Sequence, residues 1–196
     1  MFSNVFLRRL CLLMGCAGFV WTPNLSAQAL PTTVSPEMDV AVGYNTNLHS
    51  TVGGSHFWQQ GGFVELSAEA WNGLSVAALV SGGTANNSKT GVRFDTVIAV
   101  FGPRYTFRRH RWALFGEGLI GEANAFHGVY PSPQEAISST NSFASVVQGG
   151  VDMALSRRVA VRVVQAGWQR TQLPNATTNV QNALTLGAGI CFRFKH

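Results

Sequence analysis

The chain has 196 residues and a formal charge of +5. That length suits one domain, and with no Lys/Arg run pointing to nucleic acid, the mild charge argues against a nucleic-acid partner. Charged residues make up only 12% and glycine reaches 21 residues, a poor fit to an ordinary soluble domain.

The N-terminus reads as a secretory leader. Arg8 and Arg9 precede the apolar stretch from Leu10 to Val20, and Ser26-Ala27-Gln28-Ala29 supplies a small-x-small cleavage pattern. The expected organisation is a signal peptide over 1–29 and one domain over 30–196, with Leu30 the first mature residue. The apolar stretch is short of the roughly 20 residues that a spanning helix needs. Leu13-Met14-Gly15-Cys16 resembles a lipobox, which leaves lipidation of Cys16 as a second processing route. Cleavage leaves Cys191 as the sole cysteine, so no internal disulfide is expected, and a small inward-facing thiol is the simpler reading than a nucleophile.

Eight strand-like segments follow: about 38–46, 57–71, 74–82, 92–108, 111–124, 142–155, 159–171 and 181–194. Asn72-Gly73 between the second and third is a strong hairpin signal, because both residues tolerate positive φ. Tight basic turns follow the fourth segment (Arg108-Arg109-His110-Arg111) and the sixth (Ser156-Arg157-Arg158). The other connections, about 47–56, 83–91, 125–141 and 172–180, are longer and rich in Asn, Ser, Thr, Gly and Pro. Short and long connections alternate, as in a closed up-and-down barrel that crosses an outer membrane, and an even strand count puts both termini at the short-turn end.

The two faces of the strands differ in kind. In the last segment Leu184, Leu186, Ala188, Ile190, Phe192 and Phe194 share one face, and Thr185, Gly187, Gly189, Cys191 and Arg193 share the other. The second segment sets Trp58, Val64 and Leu66 against Gln59, Gly61, Glu65, Ser67 and Glu69; the sixth sets Phe143, Val147, Val151 and Met153 against Ala144, Gln148, Gly150 and Asp152. Bulky apolar outside and small or polar inside is the expected sidedness of a barrel in lipid. Three segments depart from it, the fourth being clean only in its second half, where Phe101, Tyr105 and Phe107 are expected to face out and Arg104 in. Phe115 and Leu119 share the face of Glu117, and Gln165 follows Val159, Val161 and Val163 on one face, which a bulge or an exit from the bilayer would explain.

Eight strands enclose a space that side chains can fill. The expected filling is an ion-pair network of Glu65, Glu69, Glu117 and Asp152 with Arg104, Arg162 and Arg193, with Glu69, Asp152, Arg104 and Arg193 the foremost partners. Aromatic girdles are expected from Trp71, Tyr105, Phe107, Trp112, Phe192 and Phe194 at the short-turn end, and from Phe57, Trp58 and Phe143 at the other.

With this layout and the Phe-rich ending Ile190-Cys191-Phe192-Arg193-Phe194, the chain resembles the small eight-stranded outer-membrane β-barrel proteins of the OmpA transmembrane-domain, OmpX and OmpW kind. The resemblance implies an all-β, eight-stranded antiparallel transmembrane barrel in the envelope of a Gram-negative bacterium, a monomer surrounded by membrane lipid and lipopolysaccharide. It also implies recognition of the C-terminal strand by the barrel-assembly machinery, although Lys195 and His196 follow Phe194 here.

No catalytic or cofactor motif stands out. His49, His56, His110, His127 and His196 lack metal-site spacing, so no metal and no cofactor are expected. Ser142 and His127 are nameable candidates for a lipid A-modifying enzyme, but no spacing singles them out. Asn175-Ala176-Thr177 matches a glycosylation acceptor and reads as an ordinary loop in a bacterial chain. The expected role is structural or surface-interacting, adhesion-like, through the long loops, chiefly 125–141. The alternatives are a narrow small-solute channel, a lipid A deacylase or acyltransferase, and a soluble lipocalin-like carrier.

Overall fold

In a computed structural model the chain is described over residues 37–50, 56–86, 93–130, 137–173 and 179–194. The leader, its cleavage pattern, Cys16, the 175–177 acceptor, Lys195 and His196 lie outside the described residues.

Eight strands form a single closed antiparallel barrel. They are β1 (Met38–Ser50), β2 (His56–Trp71), β3 (Leu74–Asn86), β4 (Arg93–Arg109), β5 (Trp112–Tyr130), β6 (Ile137–Ala154), β7 (Val159–Thr171) and β8 (Gln181–Phe194). Each pairs with its chain neighbours, and β8 closes on β1 from Met38↔Phe194 to His49↔Ala183. Closure satisfies every strand edge, so no ladder is left open to solvent or to another chain.

At the short-turn end, Asn72 and Gly73 take φ values of 44° and 84°, and the Glu69 Oε1 accepts from Gly73 N at 2.9 Å. Two successive positive φ values match the twist of the flanking strands, which is why Asn-Gly works there. His110 opens the β4–β5 turn at φ 59°, a left-handed conformation usually given to glycine or asparagine.

The opposite end differs from expectation. β1, β3 and β5 run on to Ser50, Asn86 and Tyr130, and β6 begins at Ile137. Asn, Ser and Thr favour loops locally because they bond their own backbone. Here the neighbouring strands offer ladder partners instead, and Asn47, past the expected end of the first segment, turns into the lumen and is buried. Tertiary pairing therefore lengthens the barrel above the segments that local composition marks as strand.

The sidedness follows the alternation. Leu66, Phe192, Val147 and Leu114 face outward and are exposed, while Glu65, Asp152, Gln148 and Cys191 face inward and are buried. Two of the irregular segments, the fifth and the seventh, have separate explanations. Phe115 does point inward: its ring lies over Gly150, its partner on β6, where an added Cβ would come within 2.8 Å of Cε1. Phe63 uses Gly43 on β1 in the same way, with 2.5 Å to the same atom. Each of these two inward aromatics thus lies over a glycine across the ladder. In β7 the register shifts between Arg162 and Gln165, so Val163 and Val164 both face out and Gln165 returns to the lumen at 1% exposure. Of the two explanations open for β7, the bulge is the one found.

Candidate functional site

The lumen has two storeys. The lower one, toward the short turns, is ionic. Arg162 comes from β7 just before the bulge and is fully buried. Its Nη1 and Nη2 donate to the two oxygens of Glu65 at 3.0 Å each, its Nε and Nη2 donate to Asp152 at 2.9 and 3.4 Å, and its Nη1 also reaches Gln165 Oε1 at 2.8 Å. All five guanidinium N–H groups are engaged, which is the arrangement a buried arginine needs.

Arg104 enters from β4. It donates to Glu65 through Nη1 and to Thr106 Oγ1 at 3.3 Å, and lies 3.6 Å from Glu117 and 3.7 Å from Asp152. Glu65 therefore bridges both arginines. Both guanidiniums lie over the Phe115 ring, with Arg104 Cζ 3.9 Å and Arg162 Cζ 4.3 Å from its centroid. Such contacts strengthen when water is excluded. From this cluster a hydrogen-bonded path climbs: Gln165 Nε2 donates to Gln148 Oε1 at 2.8 Å, and Gln148 Nε2 donates to Glu117 Oε1.

The upper storey holds neutral polar groups. Gln59 is its hub: Nε2 donates to Gly83 O at 2.9 Å and to Thr96 Oγ1 at 2.8 Å, and Oε1 meets His49 Nε2 at 3.0 Å. The His49 ring stacks on Phe57 at 5.0 Å and meets Phe94 edge-on at 6.2 Å. Asn45 Nδ2 donates to Ser81 Oγ at 2.8 Å. This storey leaves more polar atoms over: Asn45 Oδ1, Asn47 Oδ1 and His49 Nδ1 are buried with no hydrogen-bond partner among the described residues, whereas in the ionic cluster only Glu117 Oε2 lacks one there, and it lies 3.6 Å from Arg104. A small cavity separates the storeys, lined in part by Asn45, Phe63, Ser81, Gln148, Gln165 and Thr185.

Of the seven residues expected to fill the lumen, the structure brings five together: Glu65, Arg104, Glu117, Asp152 and Arg162. Glu69 and Arg193 stand apart, a correction to their place among the foremost partners. Glu69 lies one step lower and pairs with Arg108 at 2.5 Å, within a rim cluster in which Arg108 also meets Asp39 at 3.2 Å and Glu37 at 3.8 Å. Arg193 sits across the ladder from Asp39, whose carboxylate Arg108 engages, and its Nε has no hydrogen-bond partner among the described residues. Height in the barrel decides both cases, since neither residue reaches the cluster above.

Gln148, Gln165 and Arg108 were not expected as partners. Strand parity already put Arg108 on the face of Arg104, while the bulge hides the facing of Gln165.

On the outer wall Trp58, Trp71, Tyr105, Phe107, Trp112, Phe143, Phe192 and Phe194 are all exposed. Phe57, expected among them, instead lies inside against His49, because Trp58 takes the outward position of that pair. No cluster of three or more His, Cys, Asp or Glu side chains able to hold a metal occurs among the described residues. Ser142 Oγ is buried without a hydrogen-bond partner there, and the side chain of His127 lies outside the described part.

Neither a protein-family model nor a curated protein matches the sequence. Solved structures do match. Neisserial surface protein A aligns with TM-score 0.61 and 17% identity over 80% of this chain and 97% of that one. Ail, the attachment invasion locus protein of Yersinia pestis, in complex with the heparin analogue sucrose octasulfate, aligns with TM-score 0.56 and 15% identity over 82% and 99%. The outer membrane protein OprG of Pseudomonas aeruginosa aligns with TM-score 0.51 and 6% identity over 83% and 98%. The chain has the fold of the small eight-stranded outer-membrane β-barrel proteins.

Proposed function

We propose that the protein is an exported outer-membrane β-barrel whose lumen is shut to solutes, and that it serves a structural or surface-interacting role through its long-connection end. The observation that carries this reading is the lower storey, where Arg104, Arg162, Glu65 and Asp152, each at most 2% exposed, span the lumen from four strands. An ion crossing there would have to part buried, mutually bonded charges, and breaking such a pair costs about 3–5 kcal/mol.

The outward face supports the membrane part. Val64, Leu66, Leu114, Val147 and Ile190 form an apolar wall far larger than a soluble monomer tolerates. Trp71, Tyr105, Phe107, Trp112, Phe192 and Phe194 would form the girdle at the short-turn end, and Trp58 and Phe143 the other. Residues 1–29 would be the leader that sends the chain to the periplasm, and the C-terminal strand the segment that the assembly machinery reads. The barrel would stand as a monomer, since closure leaves no edge to pair.

Ail is described in complex with a heparin analogue, so sucrose octasulfate is a reasonable first probe for the long-connection end. The test of the whole reading has two parts. Fractionation with a heat-modifiability gel should place a boiling-sensitive, fast-migrating band in the outer membrane. Purified protein in a planar bilayer should show no steady open state. Steady conductance would favour the narrow channel instead, and extraction without detergent would favour a soluble carrier.

A further inference from the structure

The exposed charge at the short-turn end is divided. Glu37, Asp39 and Glu69, the only acids at this end outside the buried cluster among the described residues, stand beside Arg108 on the β1–β2 side. The β4–β5 and β6–β7 turns carry Arg109, Arg111, Arg157 and Arg158, all exposed, and none makes an ion pair with the described residues.

The fold makes these two turns one surface. Strands β5 and β6 are ladder neighbours, and Ala154 N donates to Arg111 O at 2.7 Å, which ties the turns side by side. The second turn is fixed by its own serine: Ser156 Oγ accepts from Arg158 N at 3.2 Å and Val159 N at 3.0 Å. A bond from Arg193 N to Arg158 O at 2.8 Å anchors it to β8. The two turns thus place four arginines along one arc of the rim.

The outer wall beside that arc is apolar. Trp112, Phe107, Leu114 and Leu155 are exposed there, and Trp112 is the ladder partner of Arg109. A basic edge bordering a greasy wall fits a molecule with an anionic head and acyl chains. A water-soluble polyanion would use the edge but not the wall.

We propose that Arg109, Arg111, Arg157 and Arg158 form a binding site for the phosphate of anionic phospholipids in the leaflet at the short-turn end. Guanidiniums suit phosphate because their paired N–H groups match its oxygens. The site would hold the barrel at a fixed depth and gather anionic lipid on one side only. This inference rests on the membrane placement proposed above.

The test uses the full mature protein refolded into phosphatidylcholine vesicles that contain phosphatidylglycerol, with bromine on the chains of one lipid or the other. Two variants each keep one tryptophan, Trp112 beside the arginine arc or Trp71 on the acidic side, the remaining tryptophans being replaced by phenylalanine. Quenching at Trp112 should show phosphatidylglycerol enriched about fivefold over phosphatidylcholine, the worth of roughly one arginine at a charged surface, and at Trp71 no enrichment. The change R109Q/R111Q/R157Q/R158Q should abolish the preference while the heat-modifiable band persists. The matching lysine replacements should keep most of it, and 0.5 M salt should shrink it. Equal quenching by both lipids at Trp112, or the same preference at Trp71, overturns the inference and leaves the membrane placement intact. No quenching by either lipid overturns the placement itself. If the glutamine variant instead loses sedimentation with isolated peptidoglycan while lipid quenching stays equal, the arc reads the cell wall and the lipid proposal is overturned.

Discussion

The two storeys of the lumen solve the same problem in different ways. Both must fill a narrow tube with inward side chains that meet one another and little else. The lower one uses full charges and pairs them closely: Arg162 engages every donor it has, Glu65 holds two arginines, and Glu117 Oε2, which has no hydrogen bond among the described residues, still lies 3.6 Å from Arg104. The upper one uses amides, hydroxyls and an imidazole, and leaves Asn45 Oδ1, Asn47 Oδ1 and His49 Nδ1 without partners. The contrast has a physical cause. An unmatched buried charge costs several kcal/mol, whereas an unmatched neutral group costs about 1–3 kcal/mol. Imperfect satisfaction is therefore better tolerated where nothing is charged. The lower storey should therefore behave as one rigid unit, and the upper as a set of nearly independent contacts.

The largest break in this contrast should come from Glu65→Ala, which strands Arg104 and Arg162 together. Urea unfolding of the refolded barrel in detergent micelles should show a loss of about 3–5 kcal/mol, and a bilayer recording should show openings that the parent lacks. Phe115→Leu should cost about 2 kcal/mol in the same assay, because it removes the ring against which two desolvated guanidiniums lie. Gln59→Ala in the upper storey should cost only about 1 kcal/mol, the usual net worth of a neutral hydrogen bond. Arg108→Ala at the half-exposed rim should cost about 1 kcal/mol or less, an effect that fades in molar salt while the Glu65→Ala loss does not. Asn47→Leu should be neutral or slightly stabilising, since it replaces a buried amide oxygen that has no partner. A large loss at Asn47, or a negligible one at Glu65, would erase the distinction between the storeys.

Much of the barrel was legible because period-two alternation and the Asn72-Gly73 turn are local signals. The composition of the lower storey was legible for the same reason: parity alone puts Glu65, Arg104, Glu117, Asp152 and Arg162 inside. What parity cannot supply is height, because height depends on how each strand is staggered against the next. Glu69 and Arg193 have the right facing and sit at the wrong level. The partners of Arg162 illustrate the same limit. Its reach to Gln165 exists only because a bulge returns that residue to the lumen, and nothing in Val163-Val164 marks where the extra residue falls. The upper storey was hidden for a different reason. Asn47 and His49 fall in a stretch whose composition favours a loop, and only pairing across the ladder draws them into β1.

Sidedness is the claim on which the rest depends. It is tested most directly by spin labels placed at residues 66 and 67, one at a time, through Leu66→Cys and Ser67→Cys. The background is Cys191→Ala, which removes the buried free thiol, and the protein is refolded into lipid vesicles. At residue 66 relaxation by oxygen, which concentrates among acyl chains, should far exceed relaxation by a water-soluble nickel chelate. At residue 67 the label should be immobilised and shielded from both. Nickel dominating at 66 with oxygen dominating at 67 would mean that the barrel is turned inside out relative to lipid, and would contradict the membrane placement and the closed ionic lumen together.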